Sequence, residues 1–231
     1  MKKFNDFVKN RNYTKLAIFD FDGTIAFVPE RPGPSDPKHN WNGKDWWGSH
    51  DSLTPPHYNG EVNDEVINAF KKAKADPSTR AVLLTGRRGL VADPVRNILR
   101  DNGLIGKRVI PDSNKKLSHT PFSDENHPEA HEEYFNGDLS TEEDYPKTKK
   151  GKPEGGTLIF KHYILTKKLF NQNVEEIDIW DDRADHMPSW IKIGVELQKN
   201  YPNLQRYTIH RVFPNEGGHI QTIPVKKDSQ W

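Results

Sequence analysis

The stretch Leu16-Ala-Ile-Phe-Asp-Phe-Asp-Gly-Thr24 is an apolar run that ends abruptly in two carboxylates and a glycine. A short apolar run closed by a glycine turn is typical of a buried parallel strand, although a turn of buried helix gives a similar pattern. Residues 81–84 before Thr85-Gly-Arg87, and residues 177–180 before Asp181-Asp-Arg183, repeat this pattern. The sequence therefore predicts three buried strands, each followed directly by polar residues.

Segments with the apolar spacing of helices lie between and after these strands, at residues 63–73, 94–99, 157–169 and 185–199. Asn63 suits the N-cap of the first helix, and Pro94 suits the start of the second. Residues 206–212 alternate and include β-branched side chains, which indicates a later strand at a sheet edge. Strands that alternate with helices predict an α/β fold, a Rossmann-like parallel sheet with helices on both faces.

Two long segments interrupt this alternation, so we interpret residues 1–231 as a single domain with two insertions. Residues 28–60 are rich in Trp, Pro and Gly, and their tryptophans argue against simple disorder. Residues 112–156 are mostly polar, and residues 124–144 within them contain nine acidic side chains and no Lys or Arg. A solvated loop is the plain interpretation of this second, acidic insertion.

Composition limits the classes of function. The chain has 34 basic and 33 acidic residues and a net charge of +1, so bulk charge indicates neither a nucleic-acid nor a membrane partner. It contains no cysteine, which excludes disulfides, thiolate zinc sites and a cysteine nucleophile. No apolar run approaches the ~20 residues of a membrane span, and the first residues lack the apolar core of a secretory signal. We expect a cytoplasmic protein.

Carboxylates follow two of the predicted strands: Asp20 with Asp22, and Asp181 with Asp182. The carboxyl ends of parallel strands meet at one edge of a sheet, where ligands bind. Four carboxylates at one point repel one another unless a divalent cation lies among them, and carboxylates with water are the ligands that Mg²⁺ prefers. The two aspartates of Asp-x-Asp can divide the chemistry, one as nucleophile and the other as general acid and base.

These motifs carry a family resemblance. Phe19-Asp-Phe-Asp-Gly-Thr24 resembles the first motif of the haloacid dehalogenase (HAD) superfamily of phosphatases, Leu84-Thr-Gly-Arg87 the second, and Ile179-Trp-Asp-Asp-Arg183 the fourth. Lys161 lies where the lysine of the third motif is expected. Other lysines compete for that place: Lys150, Lys152, Lys167 and Lys168.

Residues 157–161, residues 180–186 and the loop at residues 46–55 are similar to a narrower group, the Swiss Army Knife RNA repair-like HAD domains, many of them viral. The Asp-Asp-Arg ending also resembles the 3′-phosphatase half of phage polynucleotide kinase–phosphatases. For a viral protein the location is the host cytoplasm, and whether a kinase or ligase partner exists stays open. The acidic insertion matches no pattern of these groups.

The resemblance implies a role for each catalytic side chain. Asp20 attacks phosphorus and becomes an aspartyl phosphate, while Asp22 protonates the leaving oxygen and then activates water. Thr85 holds a phosphoryl oxygen, and Lys161 offsets the negative charge. Mg²⁺ is the implied cofactor, with four ligand residues: Asp20, the main-chain carbonyl of Asp22, Asp182, and Asp181 beside it.

The substrate contacts implied are Gly86, Arg87, Arg183, Trp46 and Trp47. Arg87 and Arg183 either bind substrate phosphate bidentately or form ion pairs that hold the motif loops. Trp46 and Trp47, with Trp41 nearby, either stack a base or fix the loop to the core.

The favoured function is a Mg²⁺-dependent phosphomonoesterase that acts on a nucleotide or on the 3′ end of a polynucleotide. One alternative is a HAD phosphatase for a small metabolite, for which a closed helical cap over the site is expected. Another is an inactive HAD fold that serves as a binding module, which intact motif residues argue against.

Overall fold

The computed structural model describes residues 13–32, 45–105, 132–136, 145–147 and 156–229. Its centre is a six-stranded sheet with the order β3-β2-β1-β4-β5-β6. The neighbouring strands are parallel except for β6, which is antiparallel to β5. The strands are β1 (Lys15–Phe19), β2 (Thr79–Arg88), β3 (Glu132–Asn136), β4 (Glu176–Asp181), β5 (Arg206–Phe213) and β6 (His219–Val225).

In the part of the chain that the structure describes, four α-helices connect these strands: α1 (Asp64–Ala75), α2 (Ala92–Asp101), α3 (Thr157–Tyr163) and α4 (Met187–Asn200). The Asn63 side chain accepts hydrogen bonds from the main-chain N–H groups of Glu65 and Val66, so it is the N-cap that the sequence predicts. A wider π-helical segment, Ile164–Leu169, continues α3. Within the described ranges, every helix is too short or too polar to cross a bilayer.

Two hydrophobic clusters lie on opposite faces of the sheet, because successive side chains of a strand point to opposite sides. Leu16 and Ile18 of β1 belong to the cluster formed with α3 and α4, which includes the buried Trp190. Ala17 and Phe19 belong to the other cluster, formed with α1 and α2. Helices therefore cover both faces, and the predicted α/β fold is confirmed.

Two strands were not predicted, and both lie at edges of the sheet. β6 pairs with β5, so the expectation that β5 lies at an edge is wrong. β3 lies within the acidic insertion and pairs with β2. Glu133 of β3 is bound by Arg96 of α2, whose Nε lies 2.6 Å from the carboxylate, so part of the predicted solvated loop belongs to the sheet.

The packing of α4 on the sheet depends on Gly194. A Cβ atom at this position would lie 2.6 Å from the Tyr207 ring, which is buried beneath the helix. We expect Gly194→Ala to lower the free energy of unfolding by about 1–3 kcal/mol, since overpacking a tight contact costs that much. Helix propensity alone predicts the opposite sign, a stabilisation of about 1 kcal/mol.

Urea unfolding of the two chains measures this difference. Lys199→Ala, at an exposed position of the same helix, is the control, and we expect it to change stability by less than about 0.5 kcal/mol. A Gly194→Ala chain as stable as the original would contradict the close contact.

Candidate active site

Three aspartates converge where β1 and β4 end. Asp20 follows β1 directly, Asp181 is the last residue of β4, and Asp182 comes next. One carboxylate oxygen from each of the three lies within 4.8 Å of the other two. The main-chain N–H of Asp20 donates to the Trp180 carbonyl at 3.0 Å, which holds the two strand ends together. The structure thus brings these three predicted carboxylates to one point.

Lys161 of α3 places a positive charge between two of these carboxylates. Its Nζ donates to Asp20 Oδ2 at 2.5 Å and to Asp181 Oδ2 at 2.8 Å, and the side chain is 1% exposed. Burial by itself lowers the pKa of Lys161, but the charges of Asp181 and Asp20 outweigh it and hold the pKa above its ordinary value. Of the competing lysines, Lys167 and Lys168 are exposed, and Lys150 and Lys152 lie outside the described residues.

Asp181 is surrounded by donors from the protein itself. Besides Lys161, it accepts from the main-chain N–H of Arg183 at 3.0 Å and from Trp190 Nε1 at 3.1 Å. The Nδ1 atom of His186 lies 3.1 Å from its Oδ2. Burial would raise the pKa of Asp181, but Lys161 and His186 hold it below its usual range. Both oxygens of Asp181 therefore have partners.

Asp182, unlike Asp181, has a carboxylate oxygen without a hydrogen-bond partner in the described part of the chain. Its Oδ1 is buried and has no hydrogen-bond partner among the described residues. Burial and the nearby charges of Asp20 and Asp181 raise the pKa of Asp182 to about 8. Burial also raises the pKa of Asp20, to about 6. An orphaned carboxylate oxygen beside a second carboxylate fits a hard divalent cation, so the donor set is suited to Mg²⁺.

Gly23 makes room for Asp182. Its φ of +69° lies in the left-handed region, which favours glycine. A Cβ atom at this position would lie 2.2 Å from Asp182 Oδ2. The glycine of Asp-x-Asp-Gly-Thr therefore serves both the turn after β1 and the placement of a carboxylate from β4.

Arg87 forms an ion pair with Asp22. Its Nε lies 2.9 and 3.0 Å from the two oxygens of Asp22, and its Nη2 lies 2.7 Å from Oδ1. Its Nη1 donates to Ser52 Oγ at 2.8 Å and to the Trp47 carbonyl at 3.1 Å. Of the two roles left open for Arg87, the structure shows the ion pair. The contact with Ser52 has no signal in the sequence, because it joins a turn to a strand that lies far along the chain.

Thr85 and Gly86 differ in their access to the site. Thr85 is buried, and its hydroxyl accepts from the main-chain N–H of Arg87 at 3.1 Å. Gly86 lines a cavity that opens over the carboxylates, and a Cβ atom at Gly86 would lie 2.6 Å from Thr157 of α3. The structure therefore places Gly86 at the cavity wall, while Thr85 is buried and does not line the cavity.

A cavity of about 940 Å³ opens over the carboxylates, lined among others by Asp20, Asp22, Asp182, Trp47 and Arg183. Its volume greatly exceeds that of a phosphate group and falls within the range of small-molecule sites. Arg183 pairs with the neighbouring Asp185 at 2.6 Å, and both side chains are largely exposed.

The two adjacent tryptophans have different environments. Trp47 is 39% exposed and lines the cavity, whereas Trp46 is 3% exposed and does not. Trp46 Nε1 donates to the Pro29 carbonyl at 3.0 Å, and its ring packs edge-on against His57. Trp46 is therefore held inside the loop by its contacts, and of these two tryptophans Trp47 is the one that lines the cavity. Trp41 lies outside the described residues.

Residues 35–217 match the family described as HAD domain family 1 in Swiss Army Knife RNA repair proteins. The chain belongs to this family. The match covers most of the sequence and confirms the family that the motifs predicted. In this HAD domain, His186 and Trp190 complete the surroundings of Asp181, five and nine residues beyond it.

No curated protein is significantly similar to this HAD domain. Two solved structures are similar to this chain. One, "Structure of the Pnkp1/Rnl/Hen1 RNA repair complex", is 16% identical with a TM-score of 0.45, over 88% of this chain and 44% of the other. The second, "Structure of Pnkp1/Rnl/Hen1 complex", is 17% identical with a TM-score of 0.37, over 77% and 42%. The HAD domain spans less than half the length of either.

The buried partners of Asp181 predict a large stability effect. Asp181→Asn removes a charge that the buried Lys161 needs, and we expect the free energy of unfolding to fall by about 3–5 kcal/mol. Asp185→Asn, a matched change four residues away, breaks only an exposed pair and should cost at most about 1 kcal/mol. Urea unfolding at neutral pH compares them, and equal losses in the two variants would contradict the buried ion pair.

Proposed function

We propose that this HAD domain is a Mg²⁺-dependent phosphomonoesterase that removes phosphate from the 3′ end of a nucleic-acid strand or nucleotide. One observation carries the proposal: the Lys161 ammonium and the orphaned Asp182 oxygen flank Asp20 on the floor of a cavity of about 940 Å³. The family is described from RNA repair proteins, which supports a nucleic-acid substrate.

Asp20 is the nucleophile in this proposal. Its carboxylate oxygen forms a bond to phosphorus while the bond from phosphorus to the leaving oxygen breaks, which gives an aspartyl phosphate. Lys161 stays charged throughout, since its carboxylate partners hold its pKa high, and its fixed charge stabilises Asp20 in the ionised form. A buried carboxylate without this partner would favour protonation and attack poorly.

Asp22 supplies the proton transfers. Asp22 binds a proton before the first step and gives it to the leaving oxygen. In the second step it takes a proton from the water that attacks phosphorus, while the bond from phosphorus to Asp20 breaks and inorganic phosphate leaves. Arg87 holds the Asp22 carboxylate through three contacts of 2.7–3.0 Å, and the loop that contains Ser52 holds Arg87. We assign Arg87 as a positioning residue, because its described donors already serve protein atoms.

Mg²⁺ would be held by Asp20 and Asp182, with the main-chain carbonyl of Asp22 as the further ligand that the resemblance implies. When bound, the ion would offset the charge of the phosphoryl oxygens and so stabilise the transition state. Asp181 is assigned a different role, since its oxygens already accept from Lys161, Trp190 and the main chain. It orients the lysine, while Asp182 binds the metal.

The shape of the cavity favours a nucleotide over a small metabolite. In the described part of the first insertion, residues 28–32 and 45–60, the only helical element is the short turn His50–Leu53, so these residues form no helical cap. Trp47 instead offers an aromatic surface at the cavity wall. Stacking of a base on such a surface is worth about 1–3 kcal/mol.

Asp20→Asn tests the mechanism. An amide is a poor nucleophile, so we expect kcat for phosphate release to fall by at least about a thousandfold while the fold is kept. Excess EDTA and Asp182→Asn should each abolish Mg²⁺-dependent turnover as well. Asp64→Asn, an exposed change at the start of α1, is the control and should leave turnover unchanged.

The assay compares phosphate release from a 3′-phosphorylated oligoribonucleotide, its 5′-phosphorylated isomer and a sugar phosphate. We expect the highest kcat/KM for the first. Activity that survives both EDTA and Asp20→Asn would contradict the metal-assisted covalent mechanism. Equal turnover of all three substrates would instead contradict the nucleic-acid specificity and favour a general HAD phosphatase.

A further inference from the structure

Arg211 lies beside the candidate active site on a strand that none of the HAD motifs includes. It is in register with Asp181 on the neighbouring strand β4, and it lines the same cavity as Asp20 and Asp182. Its guanidinium carbon lies 4.4 Å from the centre of the Phe213 ring, so the planar group packs against an aromatic side chain. This contact fixes the guanidinium at the cavity wall.

Three arginines line the cavity, and two of them are bound to carboxylates. Arg87 is bound to Asp22, and Arg183 to Asp185. Arg211 has no carboxylate partner among the described residues, and its buried Nε donates to none of their atoms. A buried donor without a partner is costly and calls for an explanation, of which a ligand is one.

The acidic side chains of the cavity make an unpaired cation important for binding an anion. Besides the aspartates, Glu30, Glu61 and Glu216 line it, and none of them pairs with Arg211 in the described part of the chain. A cavity with this many carboxylates repels a polyanion, so a substrate phosphate needs a local cation. Among the described residues of the cavity wall, Arg211 is the arginine whose charge is not neutralised by a carboxylate.

We propose that Arg211, supported by Phe213, binds a second phosphate of the substrate: the phosphodiester next to the phosphomonoester that Asp20 attacks. A guanidinium stacked on a ring keeps its edge free for two parallel hydrogen bonds to phosphate oxygens. The terminal nucleotide of a strand carries both phosphates, and the cavity of about 940 Å³ is large enough for it. The inference rests on the proposed function and narrows its substrate to a strand end.

The test uses two substrates that differ only in the second phosphate. One is adenosine 3′-phosphate, and the other carries in addition a methyl phosphodiester on its 5′ oxygen. We expect the original chain to prefer the second substrate in kcat/KM by about 10–100-fold, as charged hydrogen bonds imply. Arg211→Gln should reduce this preference to near unity, and Arg211→Lys should keep part of it, since lysine retains the charge without the bidentate geometry.

Arg206→Gln is the matched control. Arg206 lies on the same strand and binds Asp178 and Glu176 outside the cavity, so its loss should leave the preference as it was. A preference that stays unchanged in Arg211→Gln would overturn the inference. So would an equal loss on both substrates, because that result indicates a structural role.

A binding titration separates this inference from the proposed function. Calorimetry with the Asp20→Asn chain and Mg²⁺ measures the affinity for both compounds without turnover. If the original chain hydrolyses neither compound, the proposed function fails. The ratio of the affinities for the two compounds can still be compared between Asp20→Asn and the Asp20→Asn, Arg211→Gln double variant. This comparison decides whether Arg211 binds the second phosphate.

Discussion

The buried ammonium of Lys161 is the interaction on which the rest of the site depends. It lies between the carboxylates of Asp20 and Asp181. All three side chains are almost completely removed from water. Each of these charges is costly to bury alone, and removing one partner leaves the others without compensation. Asp20 directly follows β1, Asp181 ends β4 and Lys161 lies on α3, so the ion pairs form only when the sheet and its covering helix are packed.

Alternation along a strand separates the roles of the two neighbouring aspartates. Asp181 meets Trp190 and His186 on the side of α4, whereas Asp182 meets Gly23 and the cavity. Successive residues of an extended chain point in opposite directions, so one carboxylate is enclosed by donors and the next is left without one. This asymmetry supports the assignment of Asp182 to the metal and of Asp181 to the orientation of Lys161.

The sequence predicts the parts of this arrangement that local patterns encode. Strands β1, β2 and β4 are apolar runs that stop at polar residues, and their shared edge follows from the parallel fold. The sequence does not predict β3, because this strand begins with two glutamates inside an acidic segment and lacks the apolar run of those three strands. Adjacent tryptophans also look alike in a sequence, and only packing separates the buried Trp46 from the exposed Trp47. The pairing of Arg87 with Asp22 likewise depends on the distance between the end of β2 and the turn after β1, which no local pattern records.

A double-mutant cycle on Lys161 and Asp181 tests the central claim most directly. Urea unfolding would be measured for the original chain, Lys161→Met, Asp181→Asn and the double variant. The account predicts that the double variant is more stable than the sum of the single losses implies, with a coupling energy of at least about 2 kcal/mol. Losses that add to within about 0.5 kcal/mol would show that the two side chains are independent, and would contradict the account.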